Sequence, residues 1–393
     1  MTLIDIPLLL LAVPAGLACA YLMVLTLLSS APRTPPRSSR RLRFDVIVPA
    51  HNEEAVIART MASLTQMDWP IANVRIWVVA DNCDDFTAAC AQTAGARVLV
   101  RSDRGRRGKG YALDFAFANS RALGFADAVV VVDADAEVSI NLLEAFAARI
   151  ESGAHAVQAC YGILNPLASW RTSLITIAKA SFHIVRSRAR ERMRLSCGIR
   201  GNGWCLTMEV LQKVPFHAYS LTEDLEFGIT LGMSGYRVHY ADEAHADADM
   251  AETGEIAGTQ RQRWEDGRFQ LVRTKTLPLL FSAVRNRSAV CLDLAIDLMV
   301  LPLSYVTLNV ATLFFAVAIV ALAKEPTQIW LWLAIICAAS LLCYVLRGWQ
   351  LSGLGRRGIM ALVRAPLFVM WKFWVMLRRR ESGDWISTKR KCE

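Results

Sequence analysis

Acidic residues follow three short β-branched runs, at the positions where strands of a sheet would end. The chain reads PAHNEE after FDVIV, DNCDD after VRIWVVA and DADAE after AVVVV. Asp133 and Asp135 alternate, so both carboxylates cannot serve as caps of one turn. Two such carboxylates suit a hard divalent cation, Mg²⁺ or Mn²⁺, which commonly bridges to substrate phosphates. For Asp84 and Asp85, turn capping is the simpler interpretation.

A glycine-rich basic stretch, RSDRGRRGKGYALDFAF, precedes a predicted helix. Glycine allows the backbone to approach a phosphate closely, and a helix N-terminus favours an anion. The stretch therefore fits a phosphate site, with a solvated basic loop as the alternative. Its cationic residues are Arg101, Arg104, Arg106, Arg107 and Lys109.

Two further motifs combine charged residues with a predicted helix. In SLTEDLEFG, Glu223 and Asp224 follow a threonine, so one carboxylate could act as a general base or the group could form a helix cap. The arginine-rich stretch TQRQRWEDGR fits a basic helix on a membrane surface or the wall of a pocket for an anion. On a helix, Gln260, Arg263 and Trp264 share one face.

The elements that would hold these residues alternate between strands and helices from Arg41 to about Lys275. β-branched runs occur at FDVIVPA, VRIWVVAD, ARVLVR and AVVVVDAD, with alanine-rich stretches of helical spacing between them. This alternation predicts an α/β domain with a mostly parallel sheet, whose ligands lie beyond the carboxyl ends of the strands. The acidic clusters stand at those ends.

The chain also contains segments that fit a lipid bilayer. Of its 393 residues 54% are hydrophobic, which is too apolar for an ordinary soluble protein. Apolar runs extend from Ile6 to Leu28, from Met299 to Ala323 and from Ile329 to Leu346, and each is long enough to cross a hydrocarbon core of about 30 Å. Arginines after the first run place that side in the cytoplasm by the positive-inside rule.

Two other segments are predicted to lie at the membrane surface. The stretch SWRTSLITIAKASFHIVRSRARERMR has apolar residues at helical spacing, and its basic residues are placed to contact lipid phosphates; a buried helix with basic ends is the alternative. These basic residues are Arg171, Lys179, Arg186, Arg188 and Arg190. The stretch IMALVRAPLFVMWKFWVMLRRR is interrupted by Arg364, Pro366 and Lys372, which favours an interfacial or re-entrant helix over a fourth span.

Taken in order, the motifs resemble those of one known family. The membrane-bound branch of glycosyltransferase family 2, which contains cellulose, chitin, hyaluronan and poly-N-acetylglucosamine synthases and lipid glucosyltransferases, has motifs similar to VIVPAHNEE, VVADNCDD, RGKGYALDFAF, VVDADAE, GNGWC, LTEDLEFG and QRQRW. The resemblance covers about Phe44 to Arg268. It implies a GT-A fold and inverting transfer of a sugar from a nucleotide donor, usually UDP-linked.

The resemblance also implies roles for particular residues. The donor would be held by Glu53, Asp81, Lys109, Asp133, Gln260, Arg263 and Trp264, and the acceptor by Trp204, Glu223 and Trp264. Asp133 and Asp135 would carry Mg²⁺ or Mn²⁺ on the diphosphate, and Asp224 would deprotonate the acceptor hydroxyl. The family's DDG triplet is ADN here, so Asp81 is the one acid of the pair that is retained.

The sequence therefore predicts an integral membrane glycosyltransferase that uses a nucleotide sugar, either a UDP-hexose or a UDP-N-acetylhexosamine, and a lipid or polysaccharide acceptor. A bacterial-type inner membrane, with the catalytic domain in the cytoplasm, is expected. A catalytically silent, membrane-tethered subunit that binds a sugar nucleotide is the alternative. Three clear spans are few for a polymer channel, so polymer export would need an oligomer or a partner subunit.

The composition limits the kinds of partner that the protein can bind, and the motifs indicate where its domains begin and end. The basic residues behind the net charge of +9 lie largely in membrane flanks and in the glycine-rich stretch, so no nucleic-acid partner is expected. Ten cysteines without close pairing indicate neither a zinc site nor a disulfide framework. The expected domains are a transmembrane helix at 1–30, a basic linker at 31–43, a GT-A domain with amphipathic interfacial helices at 44–275, and a C-terminal membrane domain with a basic cytoplasmic tail at 276–393.

Overall fold

The computed structural model of the chain describes residues 5–250, 254–322 and 328–370; in the helix that begins at Gly254, side chains are described from Trp264 onward. Contacts divide this part of the chain into two units. The helical unit comprises residues 5–30, 166–192, 296–322 and 328–370, and the α/β unit comprises residues 31–165, 193–250 and 254–295. Residues 166–192, predicted to lie within the GT-A domain, thus group with the helical unit. The α/β unit also extends past the predicted boundary at residue 275.

Within the residues that the structure describes, the α/β unit is built on one eight-stranded sheet. Its strands are β1 (Phe44–Ala50), β2 (Val74–Asp81), β3 (Arg97–Arg101), β4 (Ala128–Val131), β5 (Ala136–Val138), β6 (Ala156–Cys160), β7 (Trp204–Thr207) and β8 (Val238–Ala248). They lie in the order β3-β2-β1-β4-β7-β6-β8-β5. The first four run parallel to their neighbours within that group, and β7 is antiparallel to both β4 and β6. The four predicted strands are confirmed as β1 to β4.

The central strands are buried on both faces of the sheet, as their continuous apolar runs predict. Val46, Ile47 and Val48 in β1 are 0% exposed although neighbouring side chains point to opposite faces, and Val129 and Val130 in β4 are equally buried. Helices of the α/β unit, numbered in chain order, are α2 (Ile57–Thr65), α3 (Thr87–Thr93), α4 (Lys109–Leu123), α5 (Leu142–Glu151), α8 (Met208–Lys213), α9 (Glu223–Met233), α10 (Gly254–Arg285) and most of α11 (Ala289–Met299).

The helical unit contains the predicted membrane spans. It comprises α1 (Asp5–Leu27), α6 (Trp170–Lys179), a π-helical turn (Ala180–Val185), α7 (Arg186–Arg192), α12 (Leu303–Leu322), α13 (Gln328–Leu351) and α14 (Gly355–Val363). Among the described helices, α1, α12 and α13 are long and apolar enough to cross a membrane. Their side chains pack together inside the unit, for example Leu22, Val310 and Leu341. The three predicted spans therefore correspond to α1, α12 and α13.

The predicted interfacial segment near the C-terminus is described only in part. It begins within α14, whose 9 residues are too few to cross a bilayer. Lys372 and the basic tail lie outside the residues that the structure describes. An interfacial or re-entrant helix here stays a prediction.

Two arginines of α7 are buried, although the sequence predicted that they contact lipid phosphates. Arg186 is 2% exposed and Arg190 is 0% exposed. Arg186 Nη1 lies 2.7 Å from Asp297 Oδ1, and Arg190 Nη2 lies 2.9 Å from the same oxygen. The Arg186 Nε also donates to the Tyr344 hydroxyl at 2.9 Å. The prediction is wrong for these two residues because Asp297, more than 100 residues further along the chain, supplies their counter-charge inside the unit.

Removing this counter-charge is expected to destabilise the helical unit. In Asp297→Asn, two guanidinium groups would stay buried without their carboxylate, which typically costs about 3–5 kcal/mol. We expect the melting temperature of the detergent-solubilised protein to fall by roughly 10 °C. Asp68→Asn is the matched control, since Asp68 pairs with Arg40 at an exposed surface and its loss should change the melting temperature little. Equal melting temperatures for Asp297→Asn and the wild type would show that the buried pair contributes nothing.

Candidate active site

Lys109 joins residues from four separate sequence motifs. Its Nζ donates to Asp133 Oδ1 at 2.5 Å and to the carbonyl oxygen of Gly201 at 2.8 Å. The same ammonium lies 3.6 Å from Glu223 Oε1. The glycine-rich basic stretch, the DAD run, the GNG turn and the TED motif therefore meet at one point, beyond the carboxyl end of β4.

The local backbone explains how these groups reach one another. Lys109 is the first residue of α4 and follows Gly108, whose φ of +126° favours glycine. Asp133 follows β4 by two residues, and its backbone N–H donates to the buried Asn202 side chain at 2.9 Å. Gly201, with a φ of +89°, faces the cluster: a Cβ there would lie 3.6 Å from Asp224 Oδ2. The GNG turn thus holds Asp133 and leaves space beside Asp224.

Burial and mutual repulsion shift the pKa values of the two acids at the start of α9. Burial raises the pKa of Glu223 to about 7; the Lys109 charge opposes this shift, and Asp224 adds to it. Burial also raises the pKa of Asp224, again against the opposing charge of Lys109. Burial lowers the pKa of the Lys109 ammonium, but Asp133 and Glu223 outweigh this effect and raise it above its ordinary value. The cluster therefore contains one firmly charged cation and two carboxyl groups that hold protons more tightly than usual.

Tyr161 belongs to the same group, and sequence reasoning missed it. Burial and then the charges of Asp133, Asp135 and Asp224 raise the pKa of its phenol well above the usual value. Its ring would lie 3.5 Å from a Cβ at Gly201. Tyr161 directly follows β6, so its position after a strand end is the signal that could have identified it.

Asp81 and Glu53 lie at neighbouring strand ends, as the sequence predicted. Asp81 ends β2, and its Oδ1 accepts from Arg101 Nη1 at 2.6 Å. The His51 ring contacts the Asp81 carbonyl oxygen at 2.7 Å. Glu53 follows β1, and its backbone N–H donates to the Thr87 hydroxyl at 2.8 Å. The ADN triplet therefore pairs its one acid with an arginine of the adjacent strand, and the donor role of both residues stays a prediction.

Asp133 and Asp135 offer oxygen atoms to a hard divalent cation, and their role as metal ligands stays a prediction. The Asp133 carboxylate already contacts a cationic group, the Lys109 ammonium. Asp135 lies near enough to Asp133 that the charges of both carboxylates raise the pKa of Tyr161. Oxygen ligands of this kind suit Mg²⁺ and Mn²⁺. In the described part of the chain, no three His, Cys, Asp or Glu side chains are grouped to enclose a metal ion. Phosphate oxygens or water would have to complete its coordination.

Trp204 does not line an open site, so its predicted acceptor role is wrong. The side chain is 1% exposed and packs edge to face on Phe117, with ring centroids 6.1 Å apart. The physical reason is its place in β7, an interior strand of the sheet between β4 and β6. Gly201, three residues earlier, contacts the site through its carbonyl oxygen, and the indole fills the core.

The helix that carries the QRQRW motif contacts the TED motif. A Cβ at Gly267 of α10 would lie 2.7 Å from Thr222 Cγ2, so the helix passes directly over the turn before α9. Trp264, one turn earlier, is 42% exposed. Thr222 makes no side-chain hydrogen bond that caps α9, which argues against the helix-cap alternative. Gln260 and Arg263 lie within α10, but their side chains are outside the described part.

Comparison with known proteins identifies the family. Residues 41–267, more than half of the chain, match the family described as glycosyltransferase-like family 2. The chain belongs to this family. This match identifies the family and does not distinguish the subfamily that contains the QRQRW motif.

Relatives of this family member include two curated bacterial proteins. A probable glycosyltransferase, YdaM of Bacillus subtilis, is 26% identical over 255 residues, which are 62% of this chain and 59% of the relative. A beta-monoglucosyldiacylglycerol synthase of Synechocystis sp. is 27% identical over 235 residues, which are 57% of this chain and 47% of the relative. The chain thus spans about half the length of the curated relatives it matches.

A solved structure shares the fold of this glycosyltransferase-like family 2 chain. The mannosyltransferase PcManGT from Pyrobaculum calidifontis, in complex with GDP-Man and Mn²⁺, superimposes with a TM-score of 0.52 and 18% identity. The match covers 85% of this chain and 98% of that chain. Together with the family match, it confirms the predicted GT-A fold.

The raised pKa of Glu223 predicts a pH-dependent stability. The folded protein keeps the Glu223 proton up to about pH 7, whereas the unfolded chain releases it near pH 4.5. The folded state therefore loses stability, relative to the unfolded state, as the pH rises through this window. Glu223→Gln stays neutral and avoids this loss. We expect the melting temperature of the variant, relative to the wild type, to increase between about pH 5 and about pH 8. A difference that is constant or shrinks with pH contradicts the shift.

Proposed function

We propose that the protein is an inverting, metal-dependent hexosyltransferase that moves a sugar from a UDP-linked donor to a membrane-associated lipid. The observation that carries this proposal is the cluster in which Lys109 contacts Asp133 and Glu223 beside Asp224. It combines a cation for a diphosphate, a carboxylate pair suited to a divalent ion and a candidate base.

The donor side of the cluster is suited to a nucleoside diphosphate leaving group. Lys109 is held at the N-terminus of α4, so ammonium and helix dipole both favour an anion there. Asp133 and Asp135 would hold Mg²⁺ or Mn²⁺, which stabilises the negative charge that grows on the diphosphate. Glu53 and Asp81 would contact the nucleoside from the ends of β1 and β2.

The acceptor side of the cluster offers one base. Asp224 lies at the start of α9, and its raised pKa brings it closer to the range in which a carboxylate removes a proton efficiently. An inverting displacement needs one base on the face opposite the leaving group and no covalent intermediate. Glu223 stays beside Lys109, where it orients the ammonium, and it also borders the acceptor.

A lipid acceptor agrees with the helical unit better than an exported polymer. Three described helices are candidates for spans, which is few for the wall of a polymer channel. The similarity to a beta-monoglucosyldiacylglycerol synthase supports a glycolipid product. We place the protein in a bacterial-type inner membrane, with the α/β unit on the cytoplasmic side. Polysaccharide synthesis with a partner subunit is the other outcome that a product analysis would recognise.

Product analysis tests this function directly. Detergent-solubilised protein is incubated with Mg²⁺ or Mn²⁺, membrane lipid extract and a panel of UDP-sugars, with GDP-Man included because the structural relative binds it. Mass spectrometry should detect one discrete glycolipid. A ladder of sugar units would indicate a polymerase. Donor binding without any product would indicate the silent sugar-nucleotide-binding subunit and contradict the proposal.

The base assignment predicts a large loss of rate in Asp224→Asn. The amide cannot accept the acceptor proton, so turnover should fall by about 10²–10⁴-fold, measured as UDP release. Binding of UDP should persist. Glu226→Gln is the matched control, since Glu226 lies two residues further along the first turn of α9 and faces Lys275 at 3.8 Å. Normal turnover in Asp224→Asn would contradict the assignment of Asp224 as the base.

The QRQRW motif predicts a second sensitive residue. Arg263 would offer a planar cation to the donor diphosphate, and Gln260 and Trp264 would extend the same face of α10 toward donor and acceptor. Arg263→Ala should abolish transfer while the protein still inserts into membranes. Arg261→Ala is the control, because on a helix Arg261 lies outside the face that Gln260, Arg263 and Trp264 share. Retained transfer in Arg263→Ala would return the whole stretch to a membrane-surface role.

A further inference from the structure

The C-terminal half of α10 presents an apolar stripe to the outside. Leu277 is 75% exposed, Phe281 is 67% exposed and Val284 is 81% exposed. Their spacing of four and three residues places them on one face of the helix. In the same helix Leu271 and Leu279 are buried, so the helix has a buried apolar face and a second, exposed one.

A groove adjoins this stripe where α10 turns into α11. Its volume is about 270 Å³, and apolar side chains of both helices line it, among them Leu280, Ala283 and Leu292. Val284 and Arg287 also line the groove. The surface is therefore concave and apolar, with one cation at its edge.

The chain segment that forms this surface is basic. Between Asp266 and Asp293 the chain has five basic residues and no acidic residue. Arg285 and Arg287 are exposed at the turn, beside the N-terminus of α11. A helix N-terminus carries a partial positive charge, so the arginines and the helix dipole favour an anion at the same place.

The backbone at Arg287 is unusual. Its φ is +49°, in the left-handed region that glycine or asparagine normally supplies after a helix. Asn286, a residue type that tolerates this conformation better, directly precedes Arg287, so the turn places the positive φ on the arginine instead. Arg287, which lines the groove, therefore has a backbone conformation that arginine rarely adopts.

Chain connectivity indicates what covers this surface. α11 ends at Met299, and α12, a candidate membrane span, begins at Leu303 after three residues. α11 is also fixed within the α/β unit, because a Cβ at Gly232 of α9 would collide with Leu294 and the Cys291 thiol contacts the Gly232 carbonyl oxygen at 3.4 Å. Exposed apolar residues flanked by arginines, in a segment that precedes a candidate span in the chain, match an anionic lipid surface.

We propose that the α10–α11 turn is a binding site for an anionic phospholipid. One acyl chain lies in the groove, Leu277, Phe281 and Val284 contact neighbouring chains, and Arg285 and Arg287 bind the phosphate. The site is separate from the Lys109 cluster and does not depend on the proposed transferase activity.

Photo-crosslinking of the full-length protein tests this site. A benzophenone amino acid replaces Val284 or, as the matched control, Ile71, which is 90% exposed on the α/β unit. Each protein is placed in nanodiscs of phosphatidylglycerol or of phosphatidylcholine and illuminated. The lipid adducts are then quantified by mass spectrometry of the intact protein. We expect at least tenfold more lipid adduct at position 284 than at position 71, and several-fold more with phosphatidylglycerol than with phosphatidylcholine.

A second variant separates the phosphate contact from the apolar one. Arg285→Ala combined with Arg287→Ala should lower the phosphatidylglycerol adduct at position 284 to the phosphatidylcholine level, with an unchanged melting temperature. Equal adduct yields at positions 284 and 71 would overturn the proposal. So would crosslinks from position 284 to a second copy of the chain, which would make the surface a protein interface. Equal yields for the two lipids would overturn the phosphate contact.

Discussion

The ion pair between Lys109 and Asp133 is the interaction on which the rest of the site depends. Charged groups that leave water are costly unless they are paired, and here one ammonium compensates carboxylates from the end of β4 and the start of α9. The Gly201 carbonyl oxygen accepts a further hydrogen bond from the same nitrogen. Four segments far apart in sequence are thereby held together by hydrogen bonds and ion pairs of one ammonium. A divalent ion would enter a place where carboxyl groups outnumber the one ammonium.

Helix α9 connects this cluster to the proposed lipid surface. Its first turn carries Glu223 and Asp224, and Gly232 near its end allows α11 to pack closely. One rigid helix therefore links the candidate base to the turn that we assign to a phospholipid. α10 adds a second link, because Gly267 crosses the turn before α9 and the exposed stripe begins ten residues later at Leu277. An acceptor held at a membrane would meet a base whose position is fixed by the same helices.

The sequence identifies the parts of this arrangement that local pattern determines. Continuous β-branched runs predict β1 to β4, and acids that follow these strands predict Asp81, Asp133 and Asp135 at one edge of the sheet. Prediction from the sequence fails where a residue distant in the chain determines whether a side chain is buried. Arg186 and Arg190 look lipid-facing until Asp297 is known to lie between them, and Trp204 looks accessible until β7 is placed inside the sheet. Tyr161 has no motif of its own, and only folding brings it among the acids.

Binding of Mn²⁺, measured by electron paramagnetic resonance, tests the central claim most directly. The claim is that the Lys109 cluster forms a site for a nucleoside diphosphate and a divalent cation. The signal of free Mn²⁺ should decrease when the purified protein and UDP are both present, and it should recover in Asp133→Asn. An unchanged decrease in that variant, or no decrease with the wild-type protein, would contradict the claim.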